Sequence, residues 1–307
     1  MSSTMCLLSL SISIFITTPL GATPVQQKEE ETILAGLGSA EWETRYKTLE
    51  RVESMPATDL KPKVRDALIH LLETEAHRRK ALVEKKISFQ EYLPPGAQAS
   101  TFADYYQALI DVVAGLHDER ALPMLVDYIS QPSSFDVELA NYGTRVLDLV
   151  LARLEASTQD EVQAAMADVL AKMLIKNRED TLEPELPKDD LERIKKSLRP
   201  VLSSPNWWTR LDGAFALAQA GDKSDRDRLL SAFSDLLERP RERQFVLQKF
   251  LLLPDAEFVP LPQVKRIAET DDFKVDLTNP YARKKYTTQY PIRQLAREVL
   301  EKFSKKE

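Results

Sequence analysis

The sequence predicts an all-α fold, and three observations carry that expectation. Apolar residues recur at three- and four-residue spacing along nearly the whole chain, the period of a helix with one buried face. Only 8 of 307 residues are glycine, against a usual share of roughly 7%, so the positive-φ corners that hairpins need are scarce. No run of alternating polarity bounded by turn residues stands out as a strand. Charged residues at 29% and hydrophobic residues at 43% suit a globular chain and exclude a disordered one.

Residues 1–22 carry no charge. An apolar, hydroxyl-rich run from 7 to 17 is followed by Pro19, Leu20, Gly21 and Ala22. That order predicts a signal peptide cleaved after Ala22, because a spanning helix needs about 20 apolar residues. Two features depart from the pattern: no Lys or Arg precedes the run, and Leu20 is large for its place. An uncleaved anchor and a later start at Met5 therefore stay open. Cys6 is the only cysteine, so a mature chain of 23–307 has no disulfide, thiol nucleophile or thiolate ligand. The expected compartment is periplasmic or extracellular, with no transmembrane span in the mature chain.

The rest reads as one helical domain. Helices are expected over 39–54, with Trp42, Tyr46, Leu49 and Val52 on one face, and over 59–86, with Pro62 in the first turn. Leu68, Ile69, Leu71 and Leu72 form the apolar face of the second. Its charged distal half, 73–86, is expected to project into solvent or meet a partner. An irregular stretch over 87–100 contains Leu93-Pro94-Pro95-Gly96. Helices follow over 101–116, 119–130, 134–155 and 158–177, the last opened by a capping box of Thr158 and Glu161. After a loop over 178–188 come helices at 189–203, 206–220, 224–238 and 241–252. From 253 to 291 only 263–269 looks helical, with an irregular loop near 273–291. A last helix spans 292–303.

Internal repetition is the strongest signal. Arg210 is followed by small residues at +3 and +4 (Gly213, Ala214), by Leu217 at +7, and by Gly221-Asp222 at +11 and +12. Arg293 leads Ala296 and Leu300 in the same way. Tyr106 takes the Arg slot before Leu109, Ile110 and Val113, and Gly115-Leu116-His117-Asp118 then leads into Glu119-Arg120-Ala121-Leu122-Pro123-Met124-Leu125. Weaker copies centre on Arg45, Arg65 and Arg145. Small side chains on one face allow close helix packing. Gly221 suits a left-handed helix stop and Asp222 a cap for the next unit. The repeat Arg is expected near acids of neighbouring units.

This pattern resembles the HEAT repeat, in particular the HEAT-like repeats of phycobilisome lyases. The resemblance covers about half of the chain, at 206–222 and 105–125 most clearly and at 292–303 less so. It implies a right-handed α-solenoid of roughly six helix pairs, with the register between 155 and 190 open. It implies a non-catalytic scaffold for a protein partner, or alternatively a lyase-like accessory protein that binds a small molecule.

The chemistry-bearing residues are sparse. His70 and His77 are seven apart, too far along one helix to share a metal, and His117 is expected as a solvent-facing corner residue. There is no H-E-x-x-H, no G-x-S-x-G and no glycine-rich phosphate loop, so no catalytic, cofactor or metal residue is expected. Trp207 aligns with Leu211, Ala214 and Ala218 and is expected in the core. Trp208 aligns with Asp212 and Phe215, at the packing seam or the edge of a concave face. Bases and aromatics interleave over 281–290. Residues 281–307 carry eight Lys/Arg and three Glu, a net +5, which leaves −11 for the remainder because −11 + 5 = −6. The candidate partner-binding residues are Trp208, Tyr281, Arg283, Lys284, Lys285 and Tyr286. A nucleic-acid partner is not expected in a chain this acidic. An anionic membrane surface is a third reading for Arg283, Lys284 and Lys285.

Overall fold

The computed structural model describes residues 24–84, 93, 97–129, 139–182, 184–277 and 287–304. Among them are thirteen α-helices and one two-stranded ribbon. Residues 1–22, expected as a signal peptide, and the basic cluster at 281–286 lie outside the described residues. No described helix is long and apolar enough to cross a membrane.

The helices are α1 (Pro24–Leu37), α2 (Trp42–Glu53), α3 (Pro62–Glu84), α4 (Ala99–Gly115), α5 (Leu122–Tyr128), α6 (Thr144–Ala156) and α7 (Asp160–Arg178). They continue with α8 (Lys188–Leu198), α9 (Trp207–Gln219), α10 (Arg226–Leu237), α11 (Arg243–Phe250), α12 (Leu261–Thr270) and α13 (Pro291–Ser304). Helix α1 was not anticipated; it contributes Ile33 and Leu37 to the core. The helix expected over 189–203 stops at Leu198 and tightens to a 3-10 turn, Arg199–Ser203. Pro200 supplies no N–H there for an α-helical bond.

Each helix packs against near neighbours in the sequence. Helix α2 meets α1 and α4, α3 meets α4 and α5, and α6 lies between α5 and α7 with α8 beside it. Helix α9 packs broadly on α7, α11 lies against α10 and α13, and α12 pairs with α13. One contiguous core runs from Ile33 to Phe303. Helices α7 and α9 make the most extensive helix–helix contact among the described residues, and both are rich in small buried side chains: Ala164, Ala165, Ala167 and Ala171 on one, Ala214, Ala216 and Ala218 on the other.

A local device recurs at the start of several helices. Arg45 donates from one guanidinium nitrogen to the carbonyls of Ser39 and Ala40, at 2.7 and 3.1 Å. Arg210 does the same to Ser204 and Pro205, at 2.8 and 3.0 Å. Arg243 donates to Leu237 O at 2.6 Å and reaches Glu238 O at 3.5 Å. Gln163 substitutes an amide, donating to Ser157 O at 2.8 Å. Every acceptor at the far end lies six residues before its donor. Each arginine also meets an acid further along the chain: Glu75 at 3.3 Å, Asp235 at 3.6 Å and Asp271 at 2.6 Å respectively. Of the five arginines expected near acids, Arg45, Arg210 and Arg145 meet one, the last reaching Glu119 at 3.6 Å; Arg65 and Arg293 donate to the carbonyls of Leu116 and Asp271, and Arg243 was not among those expected.

Several local expectations are corrected. The capping box at Thr158 and Glu161 is not made: α7 has no side-chain cap. Ser157 Oγ instead accepts the Gln159 N–H at 3.1 Å, as Ser39 and Ser204 accept from Glu41 and Asn206. Asp222 caps nothing with its side chain; it pairs with Arg199 at 3.0 Å. Gly221 is left-handed as expected, with φ +64°. Its N–H bonds Ala218 O and the Asp222 N–H bonds Leu217 O, the two bonds of a Schellman stop. At the end of α4 the left-handed residue is His117, with φ +50°, and its exposed ring lies 5.3 Å from that of Tyr142.

The charged half of α3 does not simply project into solvent. Glu75 is buried and accepts hydrogen bonds from Tyr105 and Tyr106 at 3.2 and 2.8 Å. The ribbon pairs β1 (Val275–Leu277) with β2 (Thr287–Gln289), antiparallel, Val275 opposite Gln289. It was unforeseen because three residues are too few to display alternation.

A Cβ on Gly213 would lie 2.7 Å from Val201 Cγ1 and 3.1 Å from its Cβ. Gly213→Leu is therefore expected to overpack this contact and cost about 1–3 kcal/mol, read from urea denaturation; a neutral result would place α9 in a different register.

Candidate functional site

Helices α7, α9 and α11 converge on a buried cluster of four charges. Lys249 Nζ, near the end of α11, lies 2.8 Å from Asp168 Oδ1 on α7 and 3.0 Å from Asp212 Oδ1 on α9. Lys172, one turn beyond Asp168, holds the other oxygen of that carboxylate at 2.7 Å. The Lys249 ammonium also sits 4.5 Å from the ring centroid of Phe215, close enough for a cation–π attraction. The side chain of Asp212 is 1% exposed, while those of Lys249 and Lys172 are 19% and 25% exposed. The carboxylates thus form the floor, and the ammonium groups lie nearer the solvent.

The two carboxylates are unlike. Asp168 accepts hydrogen bonds from two ammonium groups; burial works to raise its pKa, but Lys249 and Lys172 outweigh that and hold it below the ordinary value. Neither oxygen of Asp212 receives a well-directed hydrogen bond, so its contact with Lys249 is one of charge. Burial pushes Asp212 up to about 6, against the pull of Lys249 and with Asp168 adding to the rise. Burial would lower the Lys249 ammonium, yet Asp212 and Asp168 leave it raised. The arrangement is a charge clasp of high electrostatic cost.

One helical turn before this clasp lies an aromatic trio. Trp207 and Trp208 meet edge to face at 5.0 Å, Trp208 and Phe245 likewise at 5.0 Å, and Trp207 and Phe245 are 5.9 Å apart. Such edge-to-face pairs are favoured by the ring quadrupoles. Asn206 starts α9 by accepting the N–H groups of Trp208 and Thr209, which sets the tryptophans in the first turn. Phe245 is exposed, and both tryptophans are half-buried. Two turns beyond Asp212 on α9, Gln219 donates to Leu252 O at 2.9 Å and accepts from Arg178; Leu252 is exposed. The three helices therefore present a strip of aromatic, cationic and apolar groups in succession.

Of the residues singled out from the sequence, Trp208 stands in this strip, at a seam between α9 and α11 as expected. Trp207 is half-buried rather than fully in the core, because its ring leans on Trp208 and Phe245. Tyr281, Arg283, Lys284, Lys285 and Tyr286 lie outside the described residues. The sequence reading did not single out Asp168, Asp212, Phe245 or Lys249. Asp212, an acid within the apolar run 211–218, was the available signal; Lys249 is 81 residues from Asp168, and no local pattern links them.

Compared with models of known protein families and with curated proteins, the chain matches none. What the structure defines is an all-α protein whose helices pack on sequence neighbours, with one charge clasp spanning three of them.

The raised pKa of Asp212 sets a pH dependence. In the fold Asp212 keeps its proton up to about 6, against 3.8 when free. The native state binds that proton more tightly, so stability falls as pH rises through this window. Asp168 acts oppositely: its contribution is present above its free pKa and lost as the pH falls. Asp212→Asn is expected to flatten the loss between about pH 4 and 6 and to stabilise the protein by on the order of 2 kcal/mol near pH 8. Urea denaturation across that range checks it, and an unchanged slope would show that another group is responsible.

Proposed function

We propose that this chain is an exported, non-catalytic interaction scaffold. Its helices would stack as a right-handed α-solenoid of HEAT-like pairs, and the strip on α7, α9 and α11 would receive a segment of a protein partner. The observation that carries this reading is the aromatic trio, Trp207, Trp208 and Phe245, left partly open to solvent on a rigid pair of helices. Aromatic side chains in such settings are the usual energetic anchors of protein interfaces. The clasp below them supports the reading, since it fixes α9 against α11 and so keeps Trp208 beside Phe245.

The stacking is supported by the recurring Arg-to-carbonyl device and by helix packing between sequence neighbours. In a stacked repeat each unit touches only those next to it. Export is supported by the uncharged apolar run over 7–17 and the small residues Gly21 and Ala22 that follow it.

Two measurements test this. A protein co-precipitated with the chain from a cell-envelope fraction is expected to be lost, by about tenfold or more, with Trp208→Ala/Phe245→Ala; retention at equal yield by the correctly folded double variant would overturn the docking strip. Mass spectrometry of the protein recovered from that fraction is expected to give an N-terminus at residue 23, and an intact residue 1 would overturn cleavage.

A further inference from the structure

Helices α9 and α11 are tied by side chains in matched pairs one turn apart. Residues four apart lie on one face of a helix, so Trp208 and Asp212 share a face of α9, and Phe245 and Lys249 share a face of α11. Trp208 meets Phe245 with ring centroids 5.0 Å apart, and Asp212 meets Lys249 at 3.0 Å. The charge pair is thus the rung next to the aromatic pair, and a movement of Lys249 relative to Asp212 acts on Trp208 and Phe245.

The charge rung has a second place to close. Lys249 Nζ donates a hydrogen bond to Asp168 Oδ1 at 2.8 Å, whereas neither Asp212 oxygen receives one of good geometry. Asp212 therefore holds Lys249 by charge alone, and that hold exists only while its carboxyl is ionised. The charged groups that face Asp212 are Lys249 from α11 and Asp168 and Lys172 from α7. On the other elements packed against α9, Arg193 of α8 pairs with Asp148, Arg199 of the 3-10 turn with Asp222 and Asp225, and Asp235 of α10 with Arg210.

Protonation of Asp212 leaves one carboxylate, Asp168, facing two ammonium groups. Lys249 then keeps its hydrogen bond to α7 and loses its pull towards α9. Proton uptake removes the burial cost of the Asp212 charge together with this pull. The Asp212 contribution thus favours the fold in acid, while the tie between α9 and α11 slackens. Burial pushes this carboxyl up to about 6, so the change falls where an ordinary carboxyl would stay ionised. A charge lost at one point and a cation with two arrangements are the parts of a proton switch.

We propose that Asp212 is a proton-operated latch on the strip: its ionised carboxylate draws Lys249 to α9 and holds Phe245 against Trp208, and acid releases the pair. The latch takes its purpose from the reading of this strip as a docking surface, but it is measured without a partner, so either can fail alone. The test is tryptophan fluorescence with acrylamide quenching on the full chain, near pH 8 and at about pH 5, with helical circular dichroism unchanged between them. In the wild-type chain, acid is expected to raise the quenching and shift the emission to longer wavelength, with a midpoint near that of Asp212, about 6. Asp212→Asn, which cannot ionise, is expected to give the acid reading at both pH values. Equal quenching of the wild-type chain at the two pH values, a change that persists undiminished in Asp212→Asn, or Asp212→Asn fixed at the alkaline reading would each overturn the proposal. Partner capture that survives Trp208→Ala/Phe245→Ala overturns the docking strip and leaves the latch standing.

Discussion

A single ammonium group shared by two buried carboxylates holds the centre of this molecule together. Lys249 reaches from α11 across α9 to α7, touching Asp212 and Asp168. Burying four charges is expensive, and ion pairs of this kind often add little net stability. Their effect is better read as registration. Both α7 and α9 are rich in buried alanine, a small side chain that packs closely but resists sliding only weakly. A charge partner at one position selects one alignment, since any shift would strand Asp212 without its counter-ion. That alignment brings Trp208 against Phe245, and the candidate docking strip depends on it.

Around this clasp, the fold uses one economical device several times over. Arg45, Arg210 and Arg243 each bond carbonyls five and six residues back, and each then reaches an acid further along the chain. The guanidinium suits this work because its planar fork can serve carbonyls and a carboxylate together. Carbonyls before a helix would otherwise need water, and the acid neutralises the charge that the arginine brings inside. Gln163 keeps the carbonyl bond without the charge, and no acid is then required of it. The device links the geometry of a turn to the packing of a later element, so local and tertiary structure reinforce one another.

Much of the fold was legible. The helical period placed twelve of the thirteen described helices, because each has a buried face wide enough to leave a pattern; α1, rich in Gln and Glu, does not. Gly213 and Gly221 were legible too, one as a close approach and the other as a left-handed stop. The Thr158 capping box was misread because the residue that closes the turn is Ser157, one position earlier, and both side chains offer the same chemistry. Of the candidate site, only Trp208 was visible, through its alignment with Asp212 and Phe215 on one helix face.

By itself the sequence determined the class of fold, the left-handed stop at Gly221 and the lack of any local catalytic motif. These follow from short-range rules: side-chain period, glycine conformation and the spacing of reactive groups along one segment. Tertiary structure alone decided which acids are buried, that Glu75 turns inward to Tyr105 and Tyr106, and that Lys249 meets Asp168 from 81 residues away. It also decided that Val275–Leu277 and Thr287–Gln289 pair as a ribbon. Charge pairing and strand pairing act through space between distant segments, and no periodicity within either segment records the partner.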